Sequence, residues 1–299
     1  MSSPVVLVDL DRGAPPNAVA GSLPLVIVGI TSEATSRAAT SLPDVVVHHD
    51  DPLLETIVTN ASRHPIAATS LVVLLRSIHQ LDVDHGLAAE SALYSVLQSG
   101  PEFRAWRAGN DHNAAAADTE PAALAEREDD ELRIILNRPR RHNAFSRSMR
   151  DALSELLQLA AADETITSIT ITGRGPSFCS GGDLAEFGSF DDPATAHRTR
   201  LTRSPARLMN RIAARTHVRL HGSCLGAGIE LPAFAARVTA HVDTRLGLPE
   251  ISLGLIPGAG GTVSITRRIG RQRTAHLALS GQSIDASTAL RWGLVDGID

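Results

Sequence analysis

The stretch HGSCLGAGIELPAFAA, residues 221–236, passes from a strand-like run through small residues into a helical one. A helix entered this way leaves its first backbone N–H groups without partners, at the positive end of the helix dipole. Small side chains also let a ligand come close to the main chain. A second stretch, PSFCSGGDLAEF at 176–187, repeats the pattern. Two such starts aimed at one oxygen would stabilise an enolate or a tetrahedral intermediate. Neither is a phosphate loop, because the lysine-bearing signature and the dinucleotide fingerprint are both missing. Gly-rich strand-to-helix turns are common without any such role, so the nearby acids matter. Glu230 lies between Ile229 and Leu231, and Glu250 sits in the Pro-led, Gly-rich segment RLGLPEISLGLIPGAGGT. A carboxyl among apolar neighbours has a raised pKa and suits proton transfer, although a buried structural acid would read the same way.

Outward from these turns the chain alternates. Leu132, Ile134 and Leu136 have strand spacing, Met149, Leu153, Leu156, Leu157 and Ala160 form a helical stripe, and Ile169 and Ile171 return to strand. HVRLHG and RVTAHV are later strand candidates. This order indicates the α/β class with crossover connections. Upstream, VVLVDL, PLVIVGI and DVVV suggest a small sheet within the first 47 residues. From Pro52 the spacing turns helical, with one stripe at Leu53, Leu54, Ile57, Val58 and Ala61. Leu71, Leu74, Leu75 and Ile78 form a second stripe, and Ala89, Leu93 and Leu97 a third. Residues 108–130, AGNDHNAAAADTEPAALAEREDD, lack long apolar anchors and read as a linker.

Composition narrows the function. The 299 residues carry a net charge of −5 with no basic stripe, which argues against nucleic acid and against a membrane surface. Apolar runs such as SLVVLL from Ser70 are too short to span a bilayer, and the N-terminus has no signal-peptide pattern. A soluble, cytoplasmic protein is expected. Two cysteines, Cys179 and Cys224, exclude a disulfide framework and an all-cysteine metal site. The HHDD run at His48–Asp51 reads as a solvated turn before a helix, and no metal is expected there.

Residues 131–299 resemble the crotonase superfamily of enoyl-CoA hydratases and isomerases, through LNRPRRHNAF, FCSGGDL, GAGIEL, LPEISLGLIPGAGGT and ALRWGLVD in that order. The resemblance implies a crotonase-type superhelix of ββα turns that binds an acyl-CoA. It needs no cofactor, since coenzyme A is part of the substrate. By motif position the backbone donors to the thioester carbonyl are Gly182 and Ala227, the two acids are Glu230 and Glu250, and Arg141, Ala144, Ser180 and Gly181 contribute to substrate binding. Both acids favour an enoyl-CoA hydratase, a lyase of fatty acid metabolism. The alternatives are an isomerase or another crotonase-type acyl-CoA enzyme, and a non-catalytic accessory subunit. A homotrimer or homohexamer is expected from the same resemblance. One departure stands out: Ala235 and Ala236 occupy positions where many members have Cys-Asp.

The segment GLAAESALYSVLQSGPEF at 86–103 resembles the closing helix of this family, yet it precedes the catalytic motifs. Residues 44–107 as a whole resemble the family's C-terminal tail, from DDPLLE onward. The expected organisation is therefore a circular permutation: a strand-rich extension of unclear role at 1–43, the tail-like helical segment at 44–107, the linker at 108–130 and the catalytic core at 131–299. On that reading Asp299 lies beside the strand at Val45–Val47, and residues 51–107 form no separate globule.

Overall fold

The computed structural model describes residues 3–12, 24–32, 42–110, 119–189 and 192–299. Three strands, β1 (Val5–Asp9), β2 (Val26–Thr31) and β3 (Val45–His48), form the small parallel sheet that the N-terminal runs announce. Four helices follow: α1 (Leu53–Arg63), α2 (Pro65–Ser77), α3 (Val83–Gln98) and α4 (Pro101–Ala108). Strands β4 (Ala123–Glu128), β5 (Glu131–Leu136) and β6 (Ser168–Gly173) open a six-stranded sheet, with α5 (Arg147–Ala162) crossing between the last two. Met149, Leu153, Leu157 and Ala160 of α5 are buried at helical spacing, and the Ser146 hydroxyl accepts from the Met149 N–H to start that helix.

After α6 (Pro193–Thr202) and α7 (Pro205–Arg211), the chain winds in repeated turns. One turn is β7 (Thr216–Leu220), β8 (Ser223–Leu225) and the short helix α8 (Ala227–Glu230). The next is β9 (Arg237–Ala240), β10 (Arg245–Gly247) and a 3-10 turn at Glu250–Leu253. The chain continues through α9 (Gly261–Ser280), β11 (Ile284–Asp285), α10 (Ala286–Trp292) and β12 (Gly297–Ile298). The large sheet runs β12-β9-β7-β6-β5-β4, parallel except for the β4–β5 hairpin, and β11-β10-β8 form a second small sheet. Ile134, Ile169, Val218 and Val238 are fully buried, as expected for parallel strands covered on both faces.

The register between turns positions the site. Cys179 bridges Cys224, and Cys224 pairs with Leu246, so three successive turns stack at these residues. Gly182 and Ala227 each lie three residues beyond that layer, at equivalent places in adjacent turns.

Residues 53–108 form no separate globule. Ile57, Leu71, Leu75 and Phe103 belong to the same hydrophobic core as Ile169, Ile229 and Leu279, and α9 packs against α1, α2 and α3. Three expectations change. Residues 123–128, assigned to the linker, form a strand whose outer positions are exposed Glu and Arg, so no apolar alternation announced it. The division at residue 43 runs through a sheet, because β3 pairs with β2 and the buried Asp44 carboxylate accepts from the Ile27 N–H and from Arg76. Asp299 does not lie beside Val45–Val47. It continues β12 along β9, where its N–H donates to the Ala240 carbonyl. Residues 111–118 of the linker and most of the loops among β1, β2 and β3 lie outside the described residues. In the HHDD run, His48 ends β3 and His49 and Asp50 form an exposed turn, with ligand atoms of His48, His49 and Asp50 gathered within 4.8 Å. No helix among the described residues is long and apolar enough to cross a membrane.

Candidate active site

Two motifs are locked together before the site is built. The Arg138 guanidinium pairs with Asp183 at 3.0 Å, both side chains almost fully buried. Asn143 accepts from the Arg138 N–H and donates to the carbonyls of Arg174 and Ser177. The Phe145 N–H donates to the Gly181 carbonyl, and the Asp183 N–H returns to Phe145. These bonds fix the chain on both sides of Gly182. Breaking one member of such a buried pair costs about 3–5 kcal/mol, so the loop is held tightly.

A cleft of about 1220 Å³, part of it open to solvent, is lined by Gly182, Ala227, Glu230 and Glu250 together. The Gly182 and Ala227 N–H groups have no acceptor among the described residues, and Ala227 is the first residue of α8. The backbone is tight here: a Cβ at Gly228 would collide with the Cys179 carbonyl. The ring of Phe187 lies over Gly182, where a Cβ would meet it, so a side chain at position 182 must displace that ring. Trp106 of α4 packs edge-on against Phe187 at 6.2 Å, and Arg107 donates to the Gly188 carbonyl. The tail-like segment thus holds the loop that covers one donor.

Glu230 and Glu250 are 2% and 8% exposed. Burial and their mutual repulsion push Glu230 well above the ordinary carboxyl range, and burial raises Glu250 to about 8. Their hydrogen bonds differ. Glu230 Oε2 accepts from the N–H groups of Ala259 and Gly261, both at 2.8 Å, which favours its ionised form. Glu250 Oε2 is buried and has no hydrogen-bond partner among the described residues, which favours its acid form. The other oxygens of both carboxyls converge in front of Gly226, whose φ of +48° is a backbone shape that side chains resist. A Cβ there would strike Glu250 Oε1. Gly226→Ala is therefore expected to lose activity by more than ~10²-fold and stability by about 1–3 kcal/mol, read by initial rate and thermal melting. A variant with wild-type rate would show that this space is not used.

The remaining expected residues sit elsewhere. Arg141 is exposed, Ala144 offers its carbonyl to Arg138, the Ser180 N–H donates to the His142 carbonyl and Gly181 packs on Leu225. None of the four lines the cleft. The cleft instead takes Leu87, Glu90, Ser91 and Tyr94 from α3 and Arg200 from α6, residues that sequence reading did not single out. Glu90 is 2% exposed and sits inside an ordinary amphipathic helix, so no periodic signal marks it. Both cysteines are buried and burial raises their pKa, Cys179 to about 12, which leaves them unreactive thiols.

The sequence pattern of a family described as enoyl-CoA hydratase/isomerase matches residues 126–299. Over 170 residues the chain is 39% identical to a 2,3-dehydroadipyl-CoA hydratase of Escherichia coli K12, covering 56% of this chain and 65% of that protein. It is 32% identical over 175 residues to a mevalonyl-coenzyme A hydratase of Beauveria bassiana, covering 56% and 62%. The matched part thus spans a little under two thirds of these relatives' length. Among solved structures, an enoyl-CoA hydratase from Thermoplasma volcanium aligns at a TM-score of 0.56 and 34% identity, over 60% of this chain and 72% of that one.

Proposed function

The chain belongs to the enoyl-CoA hydratase/isomerase family, and we propose that it is a hydratase that adds water across the double bond of a 2-enoyl-CoA thioester. The observation that carries this reading is the pair of buried glutamates opening onto one space, beside two N–H groups in the same cleft that have no acceptor among the described residues. The N–H groups of Gly182 and Ala227 receive the thioester oxygen and stabilise the enolate that forms as its charge develops. Glu230, the member of the pair whose ionised form two backbone donors stabilise, takes a proton from water while the oxygen bonds to the β-carbon. Glu250, whose Oε2 has no donor among the described residues, delivers its proton to the α-carbon. The proton gained by Glu230 then returns to Glu250, and both begin the next cycle unchanged. An isomerase needs one acid to move a single proton between carbons, so the second glutamate favours hydration.

The hydratase names of the two relatives fit this reading, but their acyl groups differ and choose none for this chain. The reading is tested with a panel of 2-enoyl-CoA thioesters of different length and branching, followed by loss of the conjugated thioester absorbance. Turnover of at least one member is expected; no loss with any of them would sink the proposal. Residues 44–107, on the same reading, do the work of the family's C-terminal tail, since α3 walls the cleft and α4 holds Phe187.

A further inference from the structure

Four successive backbone N–H groups at the start of α9 alternate between two carboxylates. Ala259 and Gly261 donate to Glu230, whereas Gly260 and Thr262 donate to Glu90 at 2.7 and 2.9 Å. The Thr262 hydroxyl adds a third bond to Glu90 at 2.6 Å. Glu90 comes from α3, outside the residues matched by the family, and it lines the same cleft. A helix start can be capped by a neutral Ser, Thr or Asn. Burying a carboxylate to do so costs several kcal/mol unless it is compensated, and here it also stands beside two other buried acids. What a glutamate supplies at this place, and a neutral cap does not, is negative charge next to Glu230.

We propose that Glu90 is a positioning residue of the catalytic pair: it fixes the 259–262 turn against Glu230, and its charge keeps the Glu230–Glu250 pair holding one proton at neutral pH. This rests on the hydratase reading. The surrounding charges agree with it. Glu90 raises the proton affinity of both Glu230 and Glu250, and burial lifts Glu90 itself to about 7. Tyr94 lies one turn along α3 with its pKa raised, so it stays neutral. The cation acting on Glu90 is Arg200 of α6, which donates to Ser91, Ser95 and Gln98 and lies over the Tyr94 ring at 4.9 Å. His197 of α6 is engaged by Ser91. Arg207 of α7 is paired with Asp84, Arg76 of α2 with Asp44 and Arg268 of α9 with Asp296, while Arg267 donates to the Leu81 carbonyl.

The test compares pH–rate profiles of the full chain with those of Glu90→Gln, Glu90→Asp and Thr262→Val on the enoyl-CoA turned over fastest. Glu90→Gln is expected to move both limbs to lower pH by about one unit, which lowers the rate about tenfold on the alkaline side. Glu90→Asp keeps the charge and leaves the limbs in place, whatever it does to kcat. Thr262→Val withdraws one donor, lets Glu90 take a proton more readily, and moves the limbs the same way by less. It also serves if Glu90→Gln does not fold. A uniform loss of rate, with limbs unmoved in every variant that folds, would reduce Glu90 to a helix cap and overturn the proposal. If no enoyl-CoA is turned over, the hydratase reading fails by itself. The C=O stretches of the buried carboxylic acids other than Glu90, titrated by infrared spectroscopy without substrate, then decide the charge coupling: remaining acids that titrate at the wild-type pH in both Glu90→Gln and Thr262→Val overturn it.

Discussion

Glu230→Gln and Glu250→Gln each lower hydration by ~10²–10⁴-fold with the fold intact, because each keeps the shape of the side chain and removes a proton-transfer group. Stability moves the other way. Glu250 has an ordinary value of 4.5 and a folded value of about 8, so the folded protein binds this proton more tightly than the unfolded chain does. The wild type therefore loses stability as pH rises through that window, and Glu250→Gln does not. Its melting temperature should gain on the wild type's between about pH 5 and about pH 8. Full activity in either variant removes that residue from the mechanism. A melting difference that is flat with pH would mean that Glu250 is not a strained acid.

Removal of residues 1–118 is expected to abolish folding. Ile57, Leu71, Leu75 and Phe103 are almost completely buried in the core shared with α9 and the 3-10 turn at Glu250. Each fully buried side chain of this size contributes about 1.5–3 kcal/mol, and a whole domain has only about 5–15 kcal/mol to lose. Four such losses already match that total. The truncated protein would also lack Glu90 and the α4 contact to Phe187. It should aggregate or fail to show a cooperative melt by circular dichroism. A soluble, cooperatively melting chain beginning at residue 119 would show that the helices are an appendage, and the tail-like role of residues 44–107 would fall.

How much of this was legible in the sequence depends on what kind of signal each part leaves. Strands β5, β6 and β7 and helix α5 are buried on regular faces, so their periodicity is enough. The gathering of Gly182, Ala227, Glu230 and Glu250 in one cleft came from motif order, since no local pattern ties residue 182 to residue 250. Strand β4 escaped because its exposed face is charged and its partner, not its own composition, makes it a strand. Glu90 escaped for a different reason. Its importance comes from the N–H groups of residues 260 and 262, which are far away in the chain, and a buried glutamate in an amphipathic helix looks like a surface one until the helix is docked. The place of Asp299 was misjudged because the family's order of segments does not say which edge of which sheet a strand joins.

If water adds to a 2-enoyl-CoA between the two glutamates, solvent oxygen must end on the β-carbon. Incubating the protein with the enoyl-CoA in water enriched in heavy oxygen and weighing the product by mass spectrometry decides this. A 3-hydroxyacyl-CoA carrying one solvent oxygen on its β-carbon is expected, formed ~10²–10⁴-fold more slowly by Glu230→Gln than by the wild type. A product of unchanged mass with its double bond moved, or a free acid carrying the solvent oxygen, would contradict it.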